Sequence, residues 1–210
     1  MSQPSNPWTT LSSRLVYENP WIRVREDQVL RPDGHPGIYG VVEFKNRAVG
    51  VLPVDDEGCI WLVGQHRYPL NSYSWEIPEG GSPQSETPEE TARRELKEET
   101  GLSAGTLELI STAHLSNSVC DEIAYIYRAT ELAHGQSMPE GTEKLHAKRT
   151  TWNEVWAMLQ RGEITDSITV VALLYEAVRR LQGILSGCEV KKAASVRVGG
   201  GSAGGSWVGD

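Results

Sequence analysis

The spacing of residues 80–102 constrains this chain more than any other feature. Glu86 lies six positions after Gly80, and Arg94-Glu95 begins eight beyond that. Leu96, Glu98, Glu99, Gly101 and Leu102 close the run. The segment reads as one helix with both ends marked. Thr87 supplies an N-cap, Pro88 suits the first helical position, and Glu90 completes a capping box. Gly101 ends the helix as a residue free to adopt a left-handed conformation. Between these signals Glu95, Glu98 and Glu99 stand at i, i+3 and i+4, so three carboxylates share one helical face. Ala92, Leu96 and Leu102 are left to pack elsewhere.

Three neighbouring carboxylates repel one another, and a cation is one way to hold them together. Oxygen donors suit hard ions, Mg²⁺ or Mn²⁺ above all. The competing explanation is a solvated acidic face paired with Arg93, Arg94 and Lys97. Helical spacing leaves both explanations open, and charge bears on the choice. The 210 residues carry 20 Lys plus Arg against 28 Asp plus Glu, a net charge of −8. An acidic chain is ill suited to non-specific nucleic-acid binding. It can hold phosphates if divalent cations bridge the two.

The rest of the chain falls into zones. Residues 1–13 form a lead-in, with neither the basic start nor the apolar core of a secretory signal. Residues 15–17, 21–24, 38–44, 48–54 and 59–63 read as strands. Arg31-Pro32-Asp33-Gly34 and Asp55-Asp56-Glu57-Gly58 are turn signals, and the second is expected to join its flanking strands as a hairpin. Residues 106–112 and 123–128 read as further strands, and 133–144 as a loop. Thr151-Trp152-Asn153-Glu154 is a capping box for a helix ending near Gly162. A second helix follows Asp166 or Ser167, with Val170, Val171, Leu174 and Val178 on its expected buried face. Residues 186–210 read as a flexible Gly-rich tail. No apolar run approaches the roughly 20 residues of a membrane span. Cys59, Cys120 and Cys188 fit neither a complete disulfide framework nor a zinc pattern, which suits a reducing cytoplasm.

The run from Gly80 to Leu102 resembles the signature of the Nudix hydrolases, G-x5-E-x7-R-E-U-x-E-E-x-G-U with U apolar, at every fixed position. The resemblance implies an α/β/α sandwich with a mixed sheet and an additional N-terminal antiparallel sheet. It implies a Mg²⁺ (or Mn²⁺) dependent hydrolase of nucleoside diphosphates linked to a further group. Glu95 and Glu99 would be the principal metal ligands. Glu98 would be a ligand or would orient the metal-bound water, and the backbone carbonyl of Glu79 would complete the set. Arg94 would hold the glutamates by ion pairing and Glu86 would brace the loop, although a purely structural salt bridge fits these two equally well.

Outside this run, Gln65-His66-Arg67-Tyr68-Pro69 and Trp75-Glu76-Ile77-Pro78-Glu79-Gly80 resemble the ADP-ribose pyrophosphatase and nucleoside-diphosphate-sugar hydrolase branch. That likeness covers residues 14–183, with 14–45 as the N-terminal strands and 46–185 as the hydrolase domain. It implies a homodimer joined through those strands, with both subunits sharing each active site. The implied substrate is a small nucleotide sugar, ADP-ribose or GDP-mannose. No nucleic acid or membrane partner is expected. Arg67 and Glu76 would contact substrate. For Arg67 a phosphate or ribose contact competes with a structural ion pair. Trp21, Tyr17 and Tyr39 are possible base-stacking residues, with core or interface packing as the alternative. His66 and His114 have no ligand spacing, and nothing marks Cys120 as a nucleophile. The loop after the signature reads Ser116-Asn117-Ser118-Val119-Cys120-Asp121-Glu122, without the Ser-Pro-Gly often found in the branch, so the sugar stays open. Glu143, then Glu140, matches the mobile-loop glutamate that serves relatives as catalytic base. Glu122 and Glu98 are the other choices. The alternative activities are another nucleoside-diphosphate class, such as dinucleoside polyphosphates, and a non-catalytic sensor of ADP-ribose. Sensors usually lose signature glutamates, and this chain keeps all of them.

Overall fold

A computed structural model describes residues 5–135 and 145–198. Three antiparallel strands, β1 (Thr9–Glu18), β2 (Ile22–Leu30) and β3 (Pro36–Phe44), form an N-terminal sheet in that order. A four-stranded mixed sheet follows. It contains β4 (Arg47–Pro53), β7 (Glu79–Ser82), β8 (Leu102–His114) and β9 (Ile123–His134), in the order β7-β4-β9-β8. Within this sheet β4 and β9 pair in parallel, from Ala48 against Ala124 to Pro53 against Ala129. A third sheet places β5 (Ile60–Arg67) between β10 (His146–Thr150) and β6 (Ser72–Glu76). The helices are α1 (Pro88–Thr100), α2 (Trp152–Gln160) and α3 (Ser167–Val198).

The alternation of side chains along β4 explains the layering. Val49 and Val51 join Ala92 and Leu96 of α1, with Leu102, Tyr127 and Ala129, in one buried cluster. Gly50 points to the opposite face, where a Cβ atom would overlap Ile168 near the start of α3. Successive residues of one strand thus serve helices on both faces, as the period of two requires. The mixed α/β fold with a separate N-terminal antiparallel sheet agrees with expectation. No described helix is long and apolar enough to cross a membrane.

Several local expectations need correction. Asp55–Gly58 does turn, with Gly58 at φ +74° and the Asp55 carboxylate accepting from the Glu57 and Cys59 amides. Yet no hairpin forms. After a single bridge between Val54 and Ile60, β4 and β5 diverge into different sheets. The buried face of α3 is not the apolar one predicted. Ile168, Thr169 and Ala172 are buried, Val170 and Val171 half-buried, and Leu174 and Val178 exposed. Thr169 selects that face, because its hydroxyl accepts from the Ile77 amide at 3.0 Å in the interior. The capping box at Thr151 is half made. Thr151 accepts from the Glu154 amide, while the Glu154 carboxylate pairs with Arg161. Strand β1 begins at Thr9, inside the expected lead-in, and β9 runs to His134, into the expected loop. Helix α3 continues past Ser186 to Val198, and residues 199–210 lie outside the described residues.

Candidate active site

Helix α1 is built as its sequence dictates. The Thr87 hydroxyl accepts from the Glu90 amide at 3.2 Å, and the Glu90 carboxylate accepts from the Thr87 amide at 2.8 Å. Gly101, at φ +73°, ends the helix. Ala92 and Leu96 anchor one stripe in the core, which turns the adjoining stripe of Glu95, Glu98 and Glu99 toward β7. There these three line a cavity of about 560 Å³ with Trp21, Glu79 and Arg94.

Arg94 organises this face. Nη1 donates to Glu95 at 2.7 Å and to Glu98 at 3.0 Å, while Nη2 reaches the Gly81 carbonyl and Glu86, both at 3.2 Å. Burial alone would lower its pKa. The Glu86 hydrogen bond and the Glu95 charge outweigh burial and raise it, so Arg94 stays charged. Glu86 is held below the ordinary carboxylate range by the Thr91 hydroxyl and by Arg94. Arg47 braces the same loop through the Pro83 and Glu86 carbonyls, at 3.1 and 2.6 Å. Glu86 and Arg94 are thus joined by a salt bridge.

Glu79 connects this face to a second cavity. Its amide donates to Glu99 at 3.1 Å. The next residue, Gly80, must lack a side chain, because a Cβ atom there would overlap the Glu95 carboxylate. The Glu79 side chain is only 12% exposed, and its Oε2 is buried without a hydrogen-bond partner. Burial, then the charges of Asp166 and Glu76, push its pKa well up against the pull of Arg67. Among the described residues, no group of three His, Cys, Asp or Glu side chains is already gathered to hold a metal ion. Arg94 now spans Glu95 and Glu98. The donor set nevertheless fits a hard divalent ion. It combines glutamate oxygens, a glycine cradle and an orphaned buried carboxylate oxygen.

The second cavity, about 400 Å³, shares Trp21, Asn46, Glu79, Gly80 and Gly81 with the first and adds Phe44, Arg67, Glu122 and Asp166. Arg67 forks between Glu76 and Glu79, with Nε 3.0 Å from both Glu76 oxygens. Burial works against its charge, but the Glu76 hydrogen bond and the Glu79 and Glu76 charges raise its pKa. Glu76 is buried behind Arg67 and borders a smaller cavity of about 190 Å³. Glu122 is pushed up by burial, then by Asp121 and Asp166. Its loop is tied to the N-terminal sheet. The Tyr39 hydroxyl donates to the Ser118 carbonyl at 2.7 Å, and the Phe44 amide donates to Asp121 at 2.8 Å.

The structure thus brings Glu79, Glu95, Glu98, Glu99, Arg94 and Trp21 to one cavity, and Arg67, Glu122 and Trp21 to its neighbour. Trp21 is 67% exposed between them. Tyr39 is used in the Ser118 bond and in an edge-on contact with Trp8, and Tyr17 lies exposed on β1. Glu140 and Glu143 lie outside the described residues. Sequence reasoning missed Asp166, Phe44 and Arg47. Asp166 announced itself only as a helix-starting residue. That reading is accurate, since its carboxylate accepts from the Thr169 amide at 2.7 Å, but it gives no hint of the cavity.

Comparisons with known proteins agree with this geometry. A family model described as NUDIX domain matches residues 44–172, and one described as nucleoside diphosphate sugar hydrolase N-terminal domain matches residues 8–42. The chain is 32% identical to the ADP-ribose pyrophosphatase of Bacillus subtilis (strain 168) over 168 residues, 79% of this chain and 90% of that one. It is 32% identical to the ADP-ribose pyrophosphatase of Mycobacterium tuberculosis over 169 residues, 79% of this chain and 81% of that one. A crystal structure described as an ADP compounds hydrolase superimposes with a TM-score of 0.76. That match covers 87% of this chain and 98% of the other at 22% identity, a likeness of fold.

Proposed function

This chain belongs to the Nudix family of hydrolases, which act on phosphorus-containing anhydrides, and on that premise we propose that it hydrolyses the diphosphate of nucleoside-diphosphate sugars. ADP-ribose and GDP-mannose are the leading substrates. Water adds to one phosphorus and the bridging oxygen leaves with the other phosphate, so ADP-ribose yields AMP and ribose 5-phosphate. The observation that carries this reading is the face of Glu95, Glu98 and Glu99 opening into a cavity that Trp21 also lines. The names of the relatives support the substrate class.

Glu95 and Glu99, with the carbonyl of Glu79, would hold Mg²⁺ or Mn²⁺, and Glu98 would bind or orient beside them. A bound ion would supply charge neutralisation and Lewis-acid polarisation at the diphosphate. The chain's own groups do the rest. Arg94 holds Glu95 and Glu98 in place by ion pairing. Trp21 offers an exposed aromatic face for the base. Arg67 positions Glu79 from one side and borders the second cavity from the other. Glu122 or Glu98 takes the proton from the attacking water. Glu122 suits that role because burial, then Asp121 and Asp166, raise its pKa above the ordinary carboxylate value. Glu143 belongs to the same proposal.

A homodimer through the N-terminal sheet is part of this reading. Leu15, Val16, Tyr17 and Ile38 leave an exposed apolar surface there. A cytoplasmic setting fits the free thiols of Cys59 and Cys120. The test is release of nucleoside monophosphate from ADP-ribose and GDP-mannose, with Mg²⁺ and with EDTA. Metal-dependent release supports the proposal. A folded, Mg²⁺-binding protein that releases nothing from either would overturn it.

A further inference from the structure

Asp166 stands at the partition between the cavity of about 400 Å³ and the smaller one of about 190 Å³, bordering both together with Arg67 and Glu79. The cations of this region are committed. Arg67 forks between Glu76 and Glu79, and Arg47 donates to the Pro83 and Glu86 carbonyls. Three carboxylates, Glu79, Glu122 and Asp166, border this cavity against two cations, Arg47 and Arg67, and Arg67 is shared with Glu76, which leaves that end an excess of negative charge. Burial, then the charges of Asp121 and Asp166, push the Glu122 carboxyl up. Carboxylate oxygens accept hydrogen bonds from hydroxyl groups and repel phosphate. Charges that are partly buried are screened little by salt.

We infer that Asp166, supported by Glu122, determines specificity by making this end of the cavity a subsite for an uncharged, hydroxyl-bearing sugar and by excluding a sugar that carries a further phosphate. The inference rests on the proposed hydrolysis of nucleoside-diphosphate sugars and names which of them are taken. It assigns Asp166 a role beyond capping α3.

The experiment compares ADP-ribose with two derivatives, one bearing an extra phosphate on the adenosine ribose and one on the terminal ribose. The full chain is used in Mg²⁺, as wild type, D166N, D166S and E122Q. Asn and Ser both keep an N-cap, so α3 retains its start. In wild type, kcat/KM favours ADP-ribose. In D166N and D166S the preference over the derivative phosphorylated on the terminal ribose narrows about tenfold, more than the preference over the adenosine derivative, and E122Q narrows it in the same direction. A residue that only capped the helix would change all three substrates alike, so an unchanged ratio in the Asp166 variants and in E122Q overturns the inference. If wild type hydrolyses none of the three and no GDP-mannose, the proposed function fails. The dissociation constants of the same compounds, followed by tryptophan fluorescence, then decide the inference separately. A wild-type preference for ADP-ribose that narrows in D166N supports it, and an unchanged ratio overturns it.

Discussion

The acidic face of α1 and the acidic end of the second cavity assemble like charges in opposite ways. Glu95, Glu98 and Glu99 stand within five consecutive residues of one helix, and Arg94 of the same helix bonds two of them. Glu79, Glu122 and Asp166 come from the start of β7, the loop before β9 and the residue before α3. One helix suffices to gather the first group, because its pitch sets the neighbours. The second group exists only once a sheet, a loop and a helix start have met. The first face is paired within its own helix, whereas Arg67 answers the second group only through its pairs with Glu76 and Glu79.

The largest expected effect separates the two groups by function. Glu99→Gln keeps the shape of the side chain and an oxygen to accept from the Glu79 amide. It removes a charge from the metal-binding face. Turnover should fall by on the order of 10²–10³-fold, with thermal unfolding in EDTA nearly unchanged. Near-normal turnover would show that the α1 face is not the metal site.

The next effect separates them by stability. Arg67→Ala strands Glu76, whose side chain is 3% exposed, and Glu79 behind it. Leaving buried carboxylates uncompensated should cost about 3 kcal/mol in denaturant unfolding at neutral pH. Arg94→Ala uncovers Glu86 and Glu98, which are 31% and 27% exposed, and only one buried side chain, Glu95, so a smaller loss of about 2 kcal/mol is expected. Equal losses from the two variants would remove the distinction between a group paired within one helix and a tertiary one.

The same contrast explains what was legible in the sequence. Helix α1, its caps and its carboxylate face could be read because every determining contact lies within a few positions along the chain. The mixed fold and the N-terminal strands followed from alternation and from the family resemblance. Asp166 was visible only as a cap, because its second role depends on Arg67 and Glu79, which the fold brings to it. Apolar pattern misjudged α3 for a related reason. A buried hydrogen bond from the Ile77 amide to Thr169 outweighed the exposed Leu174 and Val178 in choosing the face. The hairpin expected at 55–58 failed because a turn fixes a change of direction, while strand pairing is decided by distant partners. For β4 these are β7 and β9.

Because α1 is held locally, one local change should loosen it. Thr87→Ala removes the hydroxyl that accepts from the Glu90 amide and should cost about 1 kcal/mol. The loss should appear in hydrogen exchange as faster opening of the first turn of α1, with Arg67 and its partners undisturbed. Equal acceleration at residues 76–79 would show that the two groups are mechanically one.

The smallest effect is a tilt of stability with pH, and it has opposite sign in the two groups. Glu122 has a folded pKa above its ordinary 4.5, owing first to burial and then to Asp121 and Asp166. From about 4.5 up to that raised value the folded protein holds more protons than the unfolded chain, so this group lowers stability as pH rises. Glu86 is the converse. The Thr91 hydroxyl and Arg94 hold its pKa below 4.5, so its contribution is present above 4.5 and lost as pH falls through the lowered value. In EDTA, Glu122→Gln should therefore flatten the decline of the unfolding midpoint above pH 4.5, and Glu86→Gln should flatten the loss below it. The variants differ from wild type on opposite sides of one pH. Parallel curves for Glu122→Gln and wild type would mean that the cavity end is as well hydrated as the α1 loop, and the two groups would then differ only in how the chain assembles them.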